Sequence, residues 1–239
     1  MPRRRGRRRE RRARKGSPMT AADPVSALEV PLAEAARQLG LDLDAATRRR
    51  LLDYLGLLLR WNATYNLTAV REPAQMLTHH LLDCLAVVGP LRRRLAEAPA
   101  GSLLDVGSGG GLPGGVIALT VPGLEVSCVD TVGKKTAFVR QVASELALPQ
   151  LHALHARVES LPGRFDLITS RAFATLADFC RLSEGRLAER GAWMAMKGRS
   201  PDDEIAQLPG HIEVFHVEQL QVPGLDAERC LVWMRRKPS

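Results

Sequence analysis

The chain has 239 residues, of which 45% are hydrophobic and 25% are charged, a balance typical of a globular protein with a sizeable core. Its formal net charge is +8, and its four cysteines are widely spaced without a CxxC pair, which argues against a zinc site or a disulfide framework. No apolar segment follows the basic start, and the Leu-rich stretch 51–59 is too short to cross a bilayer. We therefore expect a cytoplasmic protein without a bound metal or a membrane partner.

Residues 1–23 are predicted to be a disordered basic arm and linker. Residues 1–15 contain nine Arg, one Lys and one Glu, a net charge of +9, which leaves −1 for the remaining residues. A segment with so few apolar side chains cannot bury a core, and it binds polyanions by neutralising phosphates. Two interpretations stay open, an arm that adds affinity for nucleic acid and a solvated tail or start-site artefact with Met19 as the initiator.

Residues 24–100 are predicted to form a helical N-terminal extension. Apolar residues at helical spacing predict one helix from Pro24 to Leu39 and a second from the capping residue Asp44 to about Arg60. A third helix is predicted to begin at Pro73 and to extend to about residue 88.

The pattern changes at Gly101, and residues 101–239 are predicted to form an α/β core. The predicted strands are 102–106, 124–130, 151–155, 165–170, 192–197, 213–220 and 229–236, and the predicted helices between them are 112–120, 134–146 and 176–187. Strands that alternate with helices are typical of a mostly parallel, doubly wound sheet. The closely spaced last two strands predict one antiparallel strand at the end of the sheet.

The segment LLDVGSGGGLPG, residues 103–114, carries most of the functional information. A buried strand ends, four glycines follow within five residues, and a helix then begins, which forms a floor for a nucleotide-like cofactor at the carboxyl edge of the sheet. The next strand ends at Asp130, where an acid bonds the ribose hydroxyls of such a cofactor. Two neighbouring strands that both end in this way are a stronger signal than a glycine motif alone.

The acid before the glycines indicates which cofactor is bound. The spacing of Gly109, Gly111 and Gly114 also satisfies the dinucleotide fingerprint, so a nicotinamide enzyme is the alternative. The carboxylate of Asp105 suits a cationic cofactor better than a pyrophosphate. The loop resembles the D-x-G-x-G-x-G signature of class I methyltransferases, which implies a Rossmann-like fold with S-adenosylmethionine as cofactor.

The absence of two sequence motifs argues against two kinds of nucleic-acid methyltransferase. Residues 169–173 read TSRAF, without the Pro pair expected for transfer to an adenine amine, and no Cys follows Pro or Thr, as a cytosine C5 enzyme requires. A ring nitrogen with a free lone pair, such as guanine N7, needs neither device, because the enzyme has only to align the reactants and exclude water.

Six segments together resemble the RsmG (GidB) family of bacterial small-subunit ribosomal RNA guanine-N7 methyltransferases. They are RWNATYNLTAVREPAQMLTHHLLDCL (60–85), LLDVGSGGGLPG (103–114), ARVESL (156–161), SRAFATL (170–176), MKG (196–198) and LDAERCLV (225–232). The resemblance covers about residues 25–236. It implies methyl transfer from S-adenosylmethionine to N7 of a guanine in small-subunit (16S) ribosomal RNA, with the RNA or a ribosomal particle as partner.

The resemblance also implies the roles of individual residues. Gly107 and Leu112 would line the cofactor loop, Val158 and Glu159 would flank the adenine, and Asp130 would hold the ribose. Arg171 would sit beside both the cofactor and the target base, as the candidate catalytic residue. From the glycine motif itself we add Asp105 and Gly109 to the cofactor-binding residues.

For several other polar residues, the sequence is compatible with more than one role. Lys134, Arg140 and Lys197 are candidate RNA contacts, although Lys197 is equally well explained as a solvated lysine. His79 and His80 are expected to serve helix packing or hydrogen bonding, because N7 methylation needs no base. Asn66 either shapes a loop or faces the target nucleotide.

Two alternative functions stay open. A methyltransferase with a small-molecule substrate is compatible with the nearly neutral body of the chain. A non-catalytic RNA-binding or assembly protein with a vestigial pocket is the other alternative, and the intact Asp105, Gly107 and Asp130 argue against it. A monomer is expected, since nothing in the sequence demands a dimer.

Overall fold

A computed structural model describes residues 25–173, 175–199 and 201–238. The predicted basic arm, residues 1–23, lies outside the described residues. The first part of the described chain is helical. Its elements are a 3₁₀ turn at Ser26–Leu28, α1 (Glu29–Gln38), α2 (Ala45–Tyr65), α3 (Pro73–Met76), a π-helical turn at Leu77–Leu82, α4 (Asp83–Leu85) and α5 (Val88–Glu97).

In the described part of the chain, seven strands form one sheet in the order β3-β2-β1-β4-β5-β7-β6. The strands are β1 (Ser102–Val106), β2 (Glu125–Asp130), β3 (Leu151–His155), β4 (Phe165–Arg171), β5 (Leu187–Lys197), β6 (Ile212–Leu220) and β7 (Arg229–Arg236). Strands β1 to β5 are parallel, and β7 runs antiparallel to both β5 and β6. This confirms the predicted α/β, mostly parallel, doubly wound sheet with an antiparallel strand near its end.

The connecting helices are α6 (Gly114–Thr120), α7 (Gly133–Glu145), α8 (Leu176–Ser183) and α9 (Asp202–Ala206), with short 3₁₀ turns at Val158–Ser160 and Glu184–Arg186. The parallel order brings the carboxyl ends of β1, β2, β4 and β5 to one edge of the sheet, where ligands bind in folds of this kind. Because β7 is antiparallel, its first residue, Arg229, lies at that same edge, with Cys230 paired to Lys197.

Both faces of the sheet are buried. Leu103 of β1 belongs to a core that includes Leu51 and Leu55 of α2, whereas the next residue, Leu104, belongs to a second core with Phe179 and Trp193. Alternate residues of a parallel strand point to opposite faces, which explains why these strands are continuously apolar in sequence. The helical extension therefore packs on one face of the sheet and shares its core.

Several predicted bounds differ from the structure. The helix predicted at 176–187 ends at Ser183, because a 3₁₀ turn follows and Leu187 already pairs with Phe165 at the start of β5. The helix predicted at 112–120 begins at Gly114, after a series of turns. The third helix is divided by the π-helical turn, and α5 and α9 were not predicted. None of the helices in the described ranges is long and apolar enough to cross a bilayer.

Candidate functional site

The glycine loop leaves β1 in a conformation that suits glycine. Gly107, Gly109 and Gly111 have φ values of +67°, +59° and +75°, which residues other than glycine rarely adopt. A Cβ atom on Gly107 would also lie 2.9 Å from Cδ2 of Phe173. The N–H groups of Gly107 and Ser108 donate to the carbonyl of Val129 at 2.9 and 3.2 Å, so the loop is held against the end of β2.

Asp130 connects the glycine loop to the segment after β2. Its Oδ2 accepts a hydrogen bond from the N–H of Gly109 at 3.0 Å, and its Oδ1 accepts one from Val132 at 2.8 Å. The Nζ of Lys135 lies 3.5 Å from Oδ2. The carboxylate is thus fixed beside the loop by two backbone donors and one cation, in the place predicted for the acid that holds a ribose.

Asp105 lies beneath the loop and is completely buried. Its Oδ2 accepts a hydrogen bond from the N–H of Gly114 at 2.8 Å, and its Oδ1 has no partner in the described part of the chain. Burial raises the pKa of Asp105 to about 7. Asp105 thus supports the loop from below through Gly114, and its predicted role in cofactor binding stays a prediction.

The extension helps to hold the loop from the other side. The hydroxyl of Tyr54, on α2, donates to the carbonyl of Gly110. Tyr54 is buried against Phe138 of α7, with the two ring centroids 6.0 Å apart. The sequence predicts a helix around Tyr54 but no role for its side chain, because the hydrogen-bond partner lies 56 residues away.

Two cavities open at the carboxyl edge of the sheet. The larger cavity, of about 1110 Å³, is lined by Gly107, Gly109, Leu112, Arg171 and Lys197 among others. The smaller cavity, of about 350 Å³, is lined by Gly107, Asp130, Val158, Glu159 and Phe173 among others. Gly107 borders both, so the cofactor-binding residues predicted from β1, β2, β3 and β4 converge on one place, with Asp105 beneath it. In the described ranges no group of His, Cys, Asp or Glu could hold a metal ion.

Two candidate RNA contacts lie away from these cavities. The Nζ of Lys134 donates to the carbonyl of Tyr65 at 2.7 Å, so this lysine caps the end of α2. Arg140 is exposed on α7. Lys197 does line the larger cavity, but its Nζ lies 2.9 Å from Oε2 of Glu204, on α9.

Arg171 reaches the larger cavity from the end of β4. Its Nη1 donates to Oδ2 of Asp83 at 3.1 Å and to the carbonyl of His79 at 2.9 Å. The other oxygen of Asp83 accepts a hydrogen bond from Nε of Arg229 at 2.9 Å. Asp83 and Arg229 were missed as site residues, although both lie in segments that carry the family resemblance.

The loop between α2 and α3 forms one wall of the larger cavity through Leu67 and Thr68. Asn66 ends α2 with φ +48°, and its Oδ1 accepts a hydrogen bond from Arg71 at 3.0 Å, which gives it a loop-shaping role. The Thr68 hydroxyl is hydrogen-bonded to Nε2 of His80 at 2.8 Å. Burial and the nearby Arg171 lower the pKa of His80 to about 4, so its imidazole is neutral at pH 7.

The chain is similar to known proteins over most of its length. The family model described as GidB, rRNA small subunit methyltransferase G, matches residues 47–232. Ribosomal RNA small subunit methyltransferase G of Methylibium petroleiphilum is 63% identical over 214 residues, which cover 89% of this chain and 96% of the relative. The protein of the same name from Acidovorax sp. strain JS42 is 58% identical over 88% of this chain and 96% of its own length.

Solved structures resemble the chain in fold. The glycopeptide N-methyltransferase MtfA in complex with S-adenosyl-L-methionine has a TM-score of 0.52 at 11% identity, covering 64% of this chain and 94% of MtfA. TrmN from Thermus thermophilus has a TM-score of 0.52 at 20% identity, covering 67% of this chain and 53% of TrmN. At these identities the likeness concerns the fold alone.

Proposed function

The chain belongs to the family of ribosomal RNA small subunit methyltransferase G, and from that premise we propose that it transfers a methyl group from S-adenosylmethionine to N7 of a guanine in small-subunit ribosomal RNA. The observation that carries this proposal is the meeting of two cavities at Gly107. One has the features of a nucleoside site, and the other is wide enough for a base and is lined by Arg171.

The residues around Gly107 fit this cofactor. Asp130 is a fixed carboxylate that can accept hydrogen bonds from two ribose hydroxyls, and the apolar side chains of Val158 and Phe173 line the same cavity, as an adenine requires. Gly109 has open space where a Cβ would stand, so its backbone is free for close approach by a ligand. We propose that Leu112 and Glu159 complete the cofactor contacts.

When bound, S-adenosylmethionine supplies a methyl group that its sulfonium charge already activates for transfer. The protein has to hold the two reactants in line and exclude water, since guanine N7 carries a free lone pair. Gly107 offers no side chain at the junction of the cavities, so base and cofactor can approach each other there. Arg171 is the candidate catalytic residue, because its guanidinium is held at the wall of the larger cavity and can position the guanine edge.

The partner is small-subunit ribosomal RNA, as free RNA or within a ribosomal particle. We propose a cytoplasmic protein that acts as a monomer, because one chain supplies both cavities and all the residues assigned above. Of the three predicted RNA contacts, Lys197 lines the larger cavity, whereas Lys134 and Arg140 lie outside it and would contact RNA beyond the target guanine. Lys197 would have to exchange Glu204 for a phosphate.

Methyl transfer from labelled S-adenosylmethionine to small-subunit particles that lack their own modification tests the proposal. We expect labelled 7-methylguanosine from the wild-type protein, and a loss of about 100-fold or more in Arg171→Ala and Asp130→Ala, the magnitude that loss of a well-placed polar contact typically causes in an active site. Asp178→Asn, an exposed acid on α8, is the control and should retain full activity. Cofactor binding without label on any RNA would contradict the proposal and favour a small-molecule substrate.

A further inference from the structure

Asp83 is a buried acid that joins two arginines from distant strands. Its side chain is 5% exposed and lies at the start of α4, directly after the π-helical turn. Oδ2 accepts a hydrogen bond from Arg171 on β4 at 3.1 Å, and Oδ1 accepts one from Arg229 on β7 at 2.9 Å. One carboxylate thus neutralises half of the charge of the two guanidinium groups, and the cluster keeps a net charge of +1.

The two arginines keep donors for a further partner. Nη1 of Arg171 is occupied by Asp83 and the carbonyl of His79, and Nε and Nη1 of Arg229 are occupied by Asp83 and the carbonyl of Glu228. Within the described ranges, Nε and Nη2 of Arg171 and Nη2 of Arg229 have no acceptor. Both side chains line the larger cavity and are partly exposed, 21% for Arg171 and 26% for Arg229. Guanidinium donors that are fixed in this way match the oxygens of a phosphate or a carboxylate.

The order of the strands places the backbones of the two arginines at different distances from the cofactor loop. Arg171 ends β4, which is next to β1 and its glycine loop, whereas Arg229 begins β7, three strands from β1. At about 4.8 Å per strand, the backbone of Arg229 lies roughly 14 Å from the loop. The side chain of Arg229 therefore reaches Asp83 from the side of the larger cavity that is farther from the cofactor loop, although its guanidinium group meets that of Arg171 at this carboxylate.

We propose that Arg229 binds a backbone phosphate of the RNA beside the target guanine. Asp83 is a positioning residue that fixes the guanidinium groups of Arg229 and Arg171 relative to each other. This inference rests on the proposed RNA substrate. The other oxyanion that the pair could bind is the carboxylate of the cofactor, and the experiment below distinguishes the two sources. Lys197, the neighbouring lysine in the larger cavity, pairs with Glu204 and not with Asp83.

The test compares Arg229→Gln, Arg229→Lys and the wild-type protein on whichever RNA substrate the wild type methylates. For Arg229→Gln we expect a KM for RNA about tenfold higher, an almost unchanged kcat, and a salt dependence of RNA binding whose slope falls by about 0.7 to 1, as for the loss of one phosphate contact. Arg229→Lys keeps the charge and should keep the slope. Affinity for S-adenosylhomocysteine, measured by calorimetry without RNA, should be unchanged in both variants.

Arg235→Gln is the matched control for these variants. Arg235 lies on the same strand, is half exposed, and pairs with Glu213 outside the larger cavity. Its replacement should leave the KM for RNA and the salt slope as in the wild type.

Asp83→Asn tests the positioning role. We expect kcat to fall at least tenfold and KM for RNA to rise, because both arginines lose their anchor, while the salt slope does not fall, because both positive charges remain. Thermal unfolding and binding of S-adenosylhomocysteine verify that the variant is folded. The Asp83→Asn and Arg229→Gln effects on KM should be less than additive, since the second change acts on a contact that the first has already loosened.

Three results would overturn the inference. The first is Arg229→Gln with a wild-type KM and salt slope on an RNA that the wild-type protein methylates. The second is weaker binding of S-adenosylhomocysteine by Arg229→Gln with an unchanged salt slope, which would assign the arginine to the cofactor. The third is a folded Asp83→Asn variant with wild-type kcat and KM. If the wild-type protein methylates RNA but one of these results is found, only this inference fails. If the wild-type protein methylates no RNA, the proposed function itself fails, so the two failures are distinguishable.

Discussion

At the scale of single residues, burial gives the ionisable groups of the site different protonation states. Asp105 is completely buried, one of its oxygens has no partner among the described residues, and burial raises its pKa to about 7. His80 is also buried, and burial and Arg171 lower its pKa to about 4. Near neutral pH the site therefore combines a neutral imidazole with a carboxyl group that is close to its midpoint.

The raised pKa of Asp105 predicts how stability depends on pH. Because the folded state keeps this proton from about pH 4 up to about pH 7 and the unfolded chain loses it near 3.8, the stabilisation is complete below pH 4 and is lost as the pH rises through 7. Asp105→Asn removes the titration, so its stability relative to the wild type should increase between pH 5 and 8, by at most about 1.4 kcal/mol per pH unit.

Urea unfolding of both proteins at pH 5, 6, 7 and 8 measures this difference. The comparison cancels the contribution of His80, which has the opposite sign: its lowered pKa gives stability above about pH 6.5 that is lost as the pH falls towards 4. Parallel stability curves for the wild type and Asp105→Asn would show that Asp105 does not titrate in this range.

At the scale of elements, one buried side chain holds the loop between α2 and α3 at two points of its backbone. Asn62 is 3% exposed on the last turns of α2. Its Nδ2 donates to the carbonyl of Val70 at 3.1 Å, and its Oδ1 accepts a hydrogen bond from the N–H of Thr68 at 2.9 Å. Thr68 in turn bonds His80 and lines the larger cavity, so the position of this wall depends on Asn62.

We expect Asn62→Ala to lower the free energy of unfolding by about 1–3 kcal/mol, because it leaves two backbone groups of the loop without partners. The KM for RNA should rise with it, since the cavity wall is no longer held. Urea unfolding and the methyl-transfer assay measure the two effects. Asn66→Gly is the comparison and should have a smaller effect, because it removes one exposed hydrogen bond to Arg71 while glycine tolerates the positive φ at that position. Equal effects of the two substitutions would contradict the role given to Asn62.

Strands that are buried on both faces were predicted with more accurate bounds than a strand with an exposed part. β1, β2 and β4 are buried on both faces, so they read as short apolar runs and were placed within one residue of their observed bounds. The first half of β5 was missed, because residues 188–190 are polar or only partly buried and Gly191 follows. The carbonyl of Asp166 would lie 2.9 Å from a Cβ at residue 191, a contact between two strands that the local sequence cannot reveal.

At the scale of the whole molecule, the positive charge is concentrated in residues 1–15, and the rest of the chain has a net charge of −1. In the larger cavity, Lys197 pairs with Glu204, and Asp83 offsets one of the two arginines. The described residues therefore provide few unpaired cations in this cavity, and we propose that the arm supplies the sequence-independent part of the affinity for RNA.

Deletion of residues 1–18 should weaken RNA binding and reduce its salt slope, while the affinity for S-adenosylhomocysteine stays unchanged. A full-length variant with the nine arginines of the arm replaced by serine separates charge from length and should behave like the deletion. RNA binding measured over a range of salt concentrations tests this. An unchanged salt slope in the deletion variant would show that the arm does not contact phosphates.

The sequence by itself determined the α/β fold with its doubly wound sheet, the glycine loop with Asp130, and membership of the family. The fold and the family were confirmed. They could be predicted because they depend on local patterns: apolar runs that form strands, glycines that allow positive φ, and six motifs in a fixed order. The roles of Asp130, Val158, Glu159 and Arg171 stay predictions that the assays above address.

Only the tertiary structure decided how charged side chains pair around the cavities. Arg171 and Arg229 meet at Asp83 across 88 and 146 residues of sequence, Glu204 captures Lys197, and Asp105 lies under the loop. No periodicity or spacing encodes such contacts, because they arise when parallel strands bring their carboxyl ends to one edge and a helix from the extension packs against it. The pairing of charges, and with it the chemistry of the site, is a property of that packing.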